Sequence, residues 1–444
     1  MKPVAGDVRS LASWVVERTL DSRSPADRFF RQAEVRLDDR DRRLVRELGL
    51  GTLRWLRRLD DVVEAASSRR LEAVDARLRN PLRVAAYQIL FLDRIPAHAA
   101  VNQAVEEARR QTHRGGAGFV NAVLRRIARS PHLEDWPVRE QNPSRRLAIE
   151  TSHPDLLVER WLEHFGEQRT RDLLAANNRR KAVQILVIGG GGGRDLAASR
   201  LAEDGVTTVP STLAPMGLVV TGGDPTATES WRLGKIYLQD VASQAAALVP
   251  PPEAGHRVVD LAAAPGGKSF SLLAYEPELN IVAADRSLKR LQTLRQNKDR
   301  LQLSMSLVLA DGTVPPWRDS FDRVVLDLPC TGSGTLRKHP ELKWRISPGE
   351  IDRLSRQGLA MIGAAARLVR PGGVISVVTC SLEPEENTEI VTRFGEQNPQ
   401  FERVDLAEHL SPSMSGSLVD RGQWQVLPGD VHDGFTVNAL RRQH

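Results

Sequence analysis

The sequence predicts a multidomain protein with an all-α N-terminal domain, a small α/β middle region and a C-terminal doubly wound, Rossmann-like α/β domain. The chain has 444 residues, enough for about three domains. Apolar residues recur at helical spacing through residues 1–130, whereas from about residue 256 short runs rich in Val and Ile alternate with helical stretches. We therefore expect domains at 1–130, 131–250 and 251–444.

The first region is predicted to consist of amphipathic helices. Residues 8–20 and 44–59 each place apolar residues three and four apart, and the second run is expected to form one helix with Arg on its polar side. Pro81 and Pro96 are each predicted to open a helix, since proline is tolerated in the first turn. The glycines of RGGAGF are expected to break the chain before a last helix, VNAVLRRIAR.

The middle region is predicted to contain a linker with several prolines, a capped amphipathic helix and a segment of mixed secondary structure. The helix is predicted in SHPDLLVERWLEHFG, and the mixed segment contains the apolar run VQILVI followed by five glycines, 189–193. Because this run lacks the Lys-Ser/Thr ending of a phosphate loop, we interpret it as a flexible loop.

Charge is distributed unevenly along the chain. Residues 1–150 carry 29 Lys and Arg against 21 Asp and Glu, whereas the whole chain has a net charge of +6. A basic N-terminal region favours a polyanionic partner such as nucleic acid. The alternative is a solvated helical surface, since Arg supplies most of the positive charge.

Composition also bears on the cellular compartment. No run of eighteen apolar residues suggests a membrane span, and the N-terminal segment lacks the apolar core of a signal peptide. Two cysteines are too few for a disulfide framework or a cysteine zinc cluster. We expect a cytoplasmic protein with no membrane partner, and a monomer.

The segment VVDLAAAPGGKSFSL carries the first signal for a ligand. A predicted strand ends at Asp260, a turn follows with Gly266 and Gly267, and a helix begins near Lys268. Backbone N–H groups at such a helix start can approach an anionic or polar ligand. The next strand ends at Asp285, where a carboxylate can accept hydrogen bonds from ribose hydroxyls. The pattern indicates an adenosine-containing cofactor; a plain strand-to-helix turn is the alternative.

The two cysteines occupy equivalent places in the predicted sheet. Cys330 and Cys380 each follow an apolar strand directly, and open α/β sheets bind ligands at the carboxyl ends of their strands. A buried, inert thiol is the usual role of a lone cysteine. Because both thiols lie at the same predicted edge, the pattern favours reactive groups.

Four motifs together resemble the RNA 5-methylcytosine methyltransferase family, which uses S-adenosyl-L-methionine: DLAAAPGGK, ADRS, DLPCTGSGTLRKHPELKW and TCSLEPEEN. Two N-terminal stretches, AAYQILFLDRIPAHAAVNQAVEEAR and GFVNAVLRRIAR, resemble the antitermination-factor-like (NusB-like) RNA-binding domain of the bacterial Sun/Fmu branch, which acts on 16S rRNA. The C-terminal stretch LPGDVHDGFTVNALRR resembles the closing segment of that branch. The resemblance implies a class I methyltransferase fold for residues 251–444.

The resemblance also implies catalytic roles. Cys380 is expected to be the nucleophile that adds to carbon 6 of cytosine, and Cys330 to assist release of the methylated RNA. Asp327 is expected near ring nitrogen N3 and near the methyl end of the cofactor, with Lys268 holding this carboxylate. Covalent addition makes carbon 5 nucleophilic, which an unactivated cytosine is not.

The expected cofactor site combines a loop with three carboxylates. Asp285 is assigned to the ribose, Asp311 to the neighbourhood of the adenine and Asp327 to the methyl end. The loop residues are Ala262, Ala263, Ala264, Pro265, Gly266, Gly267 and Lys268. No metal is expected, because no H-x-x-x-H pair occurs and the HDG at 432–434 lacks a partner motif.

Three positions depart from the family pattern. Ala262 replaces a frequent Cys, Leu328 replaces a commoner Ala beside the catalytic aspartate, and the glycine run replaces an Arg-Val-Asn stretch. We expect the second change to crowd the base pocket slightly and the third to alter RNA contacts of the middle region.

These observations predict transfer of a methyl group to carbon 5 of a cytosine in 16S rRNA or in a precursor small-subunit particle. Two alternatives stay open. The enzyme could act on a tRNA or on a different rRNA cytosine, or the chain could be a non-catalytic RNA-binding assembly protein. Retention of Asp327, Cys330 and Cys380 argues against the last.

Overall fold

The computed structural model describes residues 7–22, 24–112, 114–180, 182–189, 193–318, 321–410, 414, 418–420 and 422–444. The chain forms two compact units. One comprises Met1–Arg179 with Leu336–Arg345, and the other comprises Arg180–Thr335 with Ile346–His444. The sequence predicts three domains, with boundaries at residues 130 and 250. This division is finer than the two compact units, and it stays a prediction.

The first unit is helical, as predicted. Its core is one cluster of buried side chains that includes Val15, Phe30, Leu59, Leu82 and Leu124. Burial of such apolar surface is the main contribution to its stability. The helices are α1 (Val8–Ser22), α2 (Ala26–Ala33), α3 (Asp39–Arg54), α4 (Leu56–Ser67), α5 (Ala76–Phe91), α6 (Ala97–Gln111), α7 (Arg114–Arg129), α8 (Pro143–Glu150) and α9 (Asp155–Asn178).

Three predicted helix limits in this unit are wrong. The single helix expected over 44–59 is interrupted at Trp55, whose non-helical backbone ends α3 and precedes α4. Pro81 lies inside α5, because the side chain of Asp75 caps that helix and its first residue is Ala76, five residues before the expected start. Gly116 lies within α7, where a Cβ would approach Thr112 Oγ1 to 2.3 Å, so this glycine serves packing instead of breaking the helix.

The segment Leu336–Arg345 belongs to the helical unit, although it follows the Cys330 motif in sequence. Lys343 is buried there, and its ammonium donates to Arg54 O (3.2 Å), Ser152 O (3.2 Å) and Asn178 Oδ1 (2.8 Å). Three donors thus meet three acceptors, as a buried ammonium requires.

The second unit begins with the small α/β region that was predicted. Its sheet is antiparallel with the order β2-β3-β1-β4. The strands are β1 (Gln184–Val187), β2 (Thr207–Pro210), β3 (Gly217–Gly222) and β4 (Ile236–Leu238), with helices α10 (Gly193–Glu203) and α11 (Glu229–Arg232). Residues 190–192 of the expected glycine loop lie outside the described residues.

A larger sheet forms the predicted doubly wound domain. Its order is β11-β12-β13-β9-β8-β5-β6-β7, with β10 beside β13. The strands are β5 (Arg257–Asp260), β6 (Asn280–Asp285), β7 (Ser306–Leu309), β8 (Phe321–Asp327), β9 (Val369–Thr379), β10 (Phe401–Arg403), β11 (Leu418–Asp420), β12 (Gln423–Val426) and β13 (Phe435–Arg442). Strands β5 to β9 pair in parallel, and β10 to β13 pair antiparallel.

Helices cover both faces of this sheet. Val258 of β5 packs with Leu272, whereas the next residue, Val259, packs with Met361 on the other face, as the alternation of a strand requires. The helices are α12 (Val241–Ala247), α13 (Gly267–Tyr275), α14 (Leu288–Arg300), α15 (Pro348–Ala365) and α16 (Thr388–Gln397). No helix in the described ranges is long and apolar enough to cross a membrane.

The order of the parallel strands creates a switch point. From β5 the chain proceeds to β6 and β7 on one side, then returns to β8 and β9 on the other. Connections therefore diverge at the carboxyl ends of β5 and β8, which leaves a crevice where such sheets bind ligands.

Candidate active site

A cleft of about 430 Å³ lies at this edge of the sheet. Six residues predicted for the site contribute to its lining: Ala262, Asp285, Asp311, Asp327, Cys330 and Cys380. Each follows or ends a parallel strand, so the fold brings together residues that lie up to 118 positions apart in the sequence.

The loop after β5 contributes Ala262 to the lining of the cleft. Ala263 and Ala264 are buried, Pro265 is exposed, and these residues with Gly266 and Gly267 are not among those that line the cleft. Gly266 has a φ of 115°, and a Cβ there would meet the Phe270 ring at 2.2 Å. Glycine is therefore required at the start of α13.

Lys268 connects this loop to the catalytic aspartate predicted at the end of β8. Its ammonium lies 2.6 Å from Asp327 Oδ2, and the lysine is buried whereas the aspartate is partly exposed to the cleft. Burial lowers the pKa of Lys268, but the charge of Asp327, with smaller contributions from Cys380 and Asp260, outweighs this and raises it. Lys268 is thus a cation that fixes the Asp327 carboxylate.

A second carboxyl, the buried Asp260, lies beside this pair. It accepts a hydrogen bond from Ser269 Oγ (2.8 Å). Burial is the main cause that raises its pKa to about 6. Near pH 6 the group therefore exists partly in the neutral form.

Asp285 ends β6 and lines the cleft. Its Oδ1 accepts from the Ser287 N–H (2.9 Å), whereas Oδ2 is buried and accepts no hydrogen bond from any described residue. The guanidinium of Arg290 lies 3.5 Å from Oδ2 and forms an ion pair with it. A buried acceptor of this kind requires a donor from a ligand or water.

Asp311 follows β7 and is exposed. Its Oδ1 accepts from the N–H (2.8 Å) and the hydroxyl (2.7 Å) of Thr313. These hydrogen bonds lower the pKa of Asp311. The carboxylate is therefore held in a fixed orientation on the rim of the cleft.

The two thiols meet at the other end of the cleft. Cys330 Sγ and Cys380 Sγ are 3.4 Å apart, and both cysteines are free. The hydrogen bond to Cys380, followed by burial, raises the pKa of Cys330 well above its ordinary value. Cys330 therefore retains its proton and can donate it toward Cys380.

Several residues of the site were not predicted. Gln357 and Met361 line the cleft from α15, and Arg286 and Arg290 line it from the segment after β6. Arg286 belongs to the ADRS motif, which could have suggested it, whereas no local pattern marks Gln357. Leu328, which was expected to crowd the base pocket, also lines the cleft. Its effect on a bound base stays a prediction.

No group of three or more His, Cys, Asp or Glu side chains in the described parts of the chain is arranged to hold a metal ion. His432 and Asp433, from the HDG sequence, lie in a turn before β13, where the Gly429 N–H donates to His432 O (3.1 Å). The Asp433 N–H donates to Asp240 Oδ2 (2.9 Å). The HDG sequence therefore forms part of the connection between β12 and β13.

Comparisons with known families cover most of the chain. The family described as 16S rRNA methyltransferase RsmB/F matches residues 246–441, and the NusB family matches residues 8–129. A ferredoxin-like domain of RsmF/B-like methyltransferases matches residues 153–226. The NusB match agrees with the N-terminal domain that was predicted.

Relatives and solved structures extend this similarity to the full chain. The ribosomal RNA small subunit methyltransferase B of Vibrio cholerae is 30% identical and covers 99% of this chain and 98% of its own. The protein of the same name from Pseudomonas putida is 33% identical, with 91% of each chain covered. The crystal structure of PH0851 superposes with a TM-score of 0.78 at 26% identity, over 99% of this chain and 100% of its own. The chain therefore belongs to the RsmB/F family of 16S rRNA methyltransferases.

Proposed function

We propose that the protein transfers a methyl group from S-adenosyl-L-methionine to carbon 5 of a cytosine in 16S rRNA, through a covalent adduct with Cys380. One observation carries this proposal. Two free thiols, 3.4 Å apart, share a cleft with the Lys268–Asp327 ion pair at the switch point of the sheet. Covalent activation of a pyrimidine requires a nucleophile, a means of stabilising ring charge and a means of release.

The cleft has the features that S-adenosyl-L-methionine requires. Asp285 Oδ2 is a buried acceptor that ribose hydroxyls can satisfy, and Asp311 on the neighbouring loop can contact the adenine side. Asp327, next to the thiols, is assigned to the methyl end. When bound, this cofactor supplies an electrophilic methyl group; the residues of the chain hold it and activate the base.

The chemistry begins with the Cys380 thiolate. Its sulfur forms a bond to carbon 6, and the electron pair of the carbon 5–carbon 6 double bond becomes available at carbon 5. Carbon 5 then takes the methyl group as the sulfur–methyl bond of the cofactor breaks, which leaves neutral S-adenosylhomocysteine. The carbon 5 proton passes to water, its bonding pair restores the carbon 5–carbon 6 double bond, and the sulfur–carbon 6 bond breaks to expel the Cys380 thiolate. One difficult substitution is thus divided into easier steps.

The surroundings of the two thiols support the assignment of their roles. The hydrogen bond to Cys380, followed by burial, raises the pKa of Cys330. The buried Lys268 ammonium contributes positive charge near Cys380, which stabilises the negative charge of a sulfur nucleophile. Cys330 is then placed to assist the later elimination.

Asp327 is assigned to the ring edge near N3. Addition of a thiolate to carbon 6 increases the negative charge of the ring, and a hydrogen bond at N3 stabilises it. Lys268 holds Asp327 in position at 2.6 Å. We assign Lys268 to this support of the carboxylate, not to direct contact with the base.

The RNA substrate is proposed from the family and from the basic N-terminal region. Residues 1–150 carry eight more basic than acidic side chains, and the matching NusB family and the relatives named ribosomal RNA small subunit methyltransferase B extend over this region. We propose that the helical unit binds phosphates of 16S rRNA or of a precursor small-subunit particle.

Bisulfite sequencing of rRNA from cells with and without the gene tests the proposal. We expect one 16S cytosine to lose its protection when the gene is deleted, and to regain it when the intact gene but not a Cys380→Ala gene is returned. Loss of protection in a tRNA or in another rRNA would assign the alternative substrate. If deletion of the gene changes the bisulfite protection of no cytosine in rRNA or tRNA, the proposed cytosine-C5 activity is contradicted.

A further inference from the structure

We propose that Glu386 is a positioning residue that holds the loop of Cys330 against the loop of Cys380. Glu386 ends the short 3₁₀ helix Pro384–Glu386, which precedes α16. It has no part in the chemistry described above. The predicted consequence for RNA release rests on the function proposed above, whereas the geometric role does not.

Glu386 contacts the residue that follows Cys330. Thr331 donates its backbone N–H to Glu386 Oε1 (2.8 Å) and its hydroxyl to Glu386 Oε2 (2.6 Å). Both side chains are buried. A carboxylate has two acceptor oxygens, and here each one receives a donor from the same residue, which fixes the backbone next to the thiol.

The residue that follows Cys380 completes the connection. Ser381 Oγ lies 3.3 Å from Thr331 Oγ1 and accepts from the Glu383 N–H (3.1 Å). The Gly334 N–H also donates to Cys380 O (2.9 Å). The two cysteine loops are therefore joined by hydrogen bonds directly beside the thiols, and Glu386 supplies the two that hold Thr331.

Glu386 is a buried carboxyl group, and its burial requires a compensating interaction. Within the described residues no Lys, Arg or His forms an ion pair with it, and burial raises its pKa to about 7. Burying a carboxyl group without a cation is unfavourable. An apolar side chain at this position would leave the buried Thr331 N–H without an acceptor, which also costs free energy. The hydrogen bonds to Thr331 explain the carboxyl group.

Loss of Glu386 is expected to separate the thiols before it affects the rest of the cleft. Cys380 follows β9 directly, and the central strand holds it in place. Cys330 lies in a loop without regular structure, so its position depends more on side-chain hydrogen bonds. The proposed release step, in which Cys330 takes part, should therefore be impaired more than the addition step.

Oxidative cross-linking of the full-length protein measures the thiol geometry without RNA. Diamide accepts two hydrogen atoms from the two thiols, and one sulfur–sulfur bond forms between Cys330 and Cys380. Because the chain has two cysteines, mass spectrometry after alkylation under denaturing conditions reports this bond directly. We expect Glu386→Ala to slow its formation about ten-fold, in line with the loss of both hydrogen bonds to Thr331.

Three further variants complete the test. Thr331→Val removes the contacts of the hydroxyl with Glu386 and Ser381 but keeps the backbone N–H bond to Glu386, so it should slow cross-linking less than Glu386→Ala. Glu386→Gln, which retains an acceptor, should cross-link faster than Glu386→Ala. Glu389→Gln is the matched control, since Glu389 is exposed on α16. Cross-linking of both Glu386→Ala and Thr331→Val at the rate of the Glu389→Gln control would overturn the positioning role. If Glu386→Ala fails to fold, the cross-linking rates of Thr331→Val and Glu386→Gln test the positioning role instead. Rates equal to that of Glu389→Gln in both variants would then overturn it.

The second readout is retained RNA. With 16S rRNA and S-adenosyl-L-methionine, Glu386→Ala should accumulate a protein–RNA adduct on denaturing gels, as Cys330→Ala should, whereas Glu389→Gln should not. If Glu386→Ala cross-links slowly but neither Glu386→Ala nor Cys330→Ala accumulates the adduct, the positioning role is supported and the covalent function is contradicted.

If Cys330→Ala accumulates the adduct, whereas Glu386→Ala cross-links and releases RNA at the normal rate, only the positioning role is contradicted.

Discussion

Lys268 and Asp327 determine the electrostatics of the cleft at the scale of single residues. The ammonium is buried and the carboxylate is partly exposed, so the pair presents one anchored acceptor to the cleft. Asp285 adds a second acceptor, with one oxygen already engaged by its own loop. These residues could be predicted because each ends a strand or starts a helix in a recognisable motif. Glu386 and Gln357 could not, because their significance arises from contacts between segments distant in the sequence.

Asp285→Ala is predicted to weaken binding of S-adenosyl-L-methionine. The carboxylate should lose its hydrogen bonds with ribose hydroxyls, and bonds to charged groups contribute about 1.5–3 kcal/mol each, so we expect a loss of about tenfold or more in affinity. RNA affinity should change little. Calorimetric titration provides the measurement, with Asp299→Ala, an exposed residue at the end of α14, as the control. Unchanged cofactor affinity would remove Asp285 from the site.

Glu107 is predicted to make the stability of the helical unit depend on pH. Burial, followed by the charge of Asp7, raises its pKa to about 7 from 4.5. Between pH 4.5 and 7 the folded chain retains a proton that the unfolded chain releases, so stability is highest below pH 4.5 and falls as the pH rises through 7. Glu107→Gln, which keeps the shape, should stabilise α6 by about 3 kcal/mol at pH 8 and by much less at pH 5.

Amide hydrogen exchange of peptides from α6, corrected for intrinsic exchange at each pH, gives the free energy of opening. The exposed neighbour Glu106, which pairs with Arg109, offers the control Glu106→Gln. An equal effect of Glu107→Gln at both pH values would show that the carboxyl is ionised in the folded chain throughout.

At the scale of elements, apolar periodicity predicts where helices lie better than where they end. Over residues 44–59 the helical spacing of apolar residues continues through Trp55, although α3 ends there and α4 begins. A single non-helical residue leaves the apolar side chains of the next helix at nearly the same spacing, so the pattern does not reveal the break. Pro81 is tolerated within α5, whose start is set by the cap of Asp75. The strands of the parallel sheet are easier to predict, since they are short, continuous apolar runs. Two of them, β6 and β8, end at the cleft-lining residues Asp285 and Asp327.

The docking of the segment Leu336–Arg345 in the helical unit leads to a prediction for Lys343. Lys343→Met removes three hydrogen bonds and leaves Arg54 O, Ser152 O and Asn178 Oδ1 without this donor. We expect the free energy of unfolding to fall by about 3 kcal/mol. Lys338→Met is the control, because Lys338 is exposed in the same segment. Urea unfolding followed by far-UV circular dichroism would show the difference, and equal midpoints for both variants would contradict it.

At the scale of the whole molecule, charge separates the N-terminal region from the remainder. The basic surplus of eight over residues 1–150 compares with a slight acidic excess over residues 151–444. The helical unit extends to Arg179 and includes Leu336–Arg345. A deletion of residues 1–130 would therefore expose buried surface within that unit, so substitutions on its surface test RNA binding more cleanly.

Arg125 and Arg129 are predicted to contact RNA phosphates. Both are exposed and lie four residues apart on one face of α7. Arg125→Gln with Arg129→Gln should weaken RNA binding at low salt and reduce the slope of log affinity against log salt by about 0.7–0.9 per lost phosphate contact. Arg356→Gln on α15, also exposed, serves as the control. An unchanged slope in the double variant would place the RNA elsewhere.

The separate roles of the two thiols are the central claim, and a denaturing gel of each variant after incubation with 16S rRNA and S-adenosyl-L-methionine tests it most directly. Cys330→Ala should still add to carbon 6 and transfer the methyl group, then fail to release, so a shifted protein–RNA band should appear only when both RNA and cofactor are present. Cys380→Ala should give neither band nor methylation, and the double variant has no thiol at all. A band in Cys380→Ala that is absent in Cys330→Ala would reverse the assignment, and normal methylation by both variants would contradict the covalent mechanism.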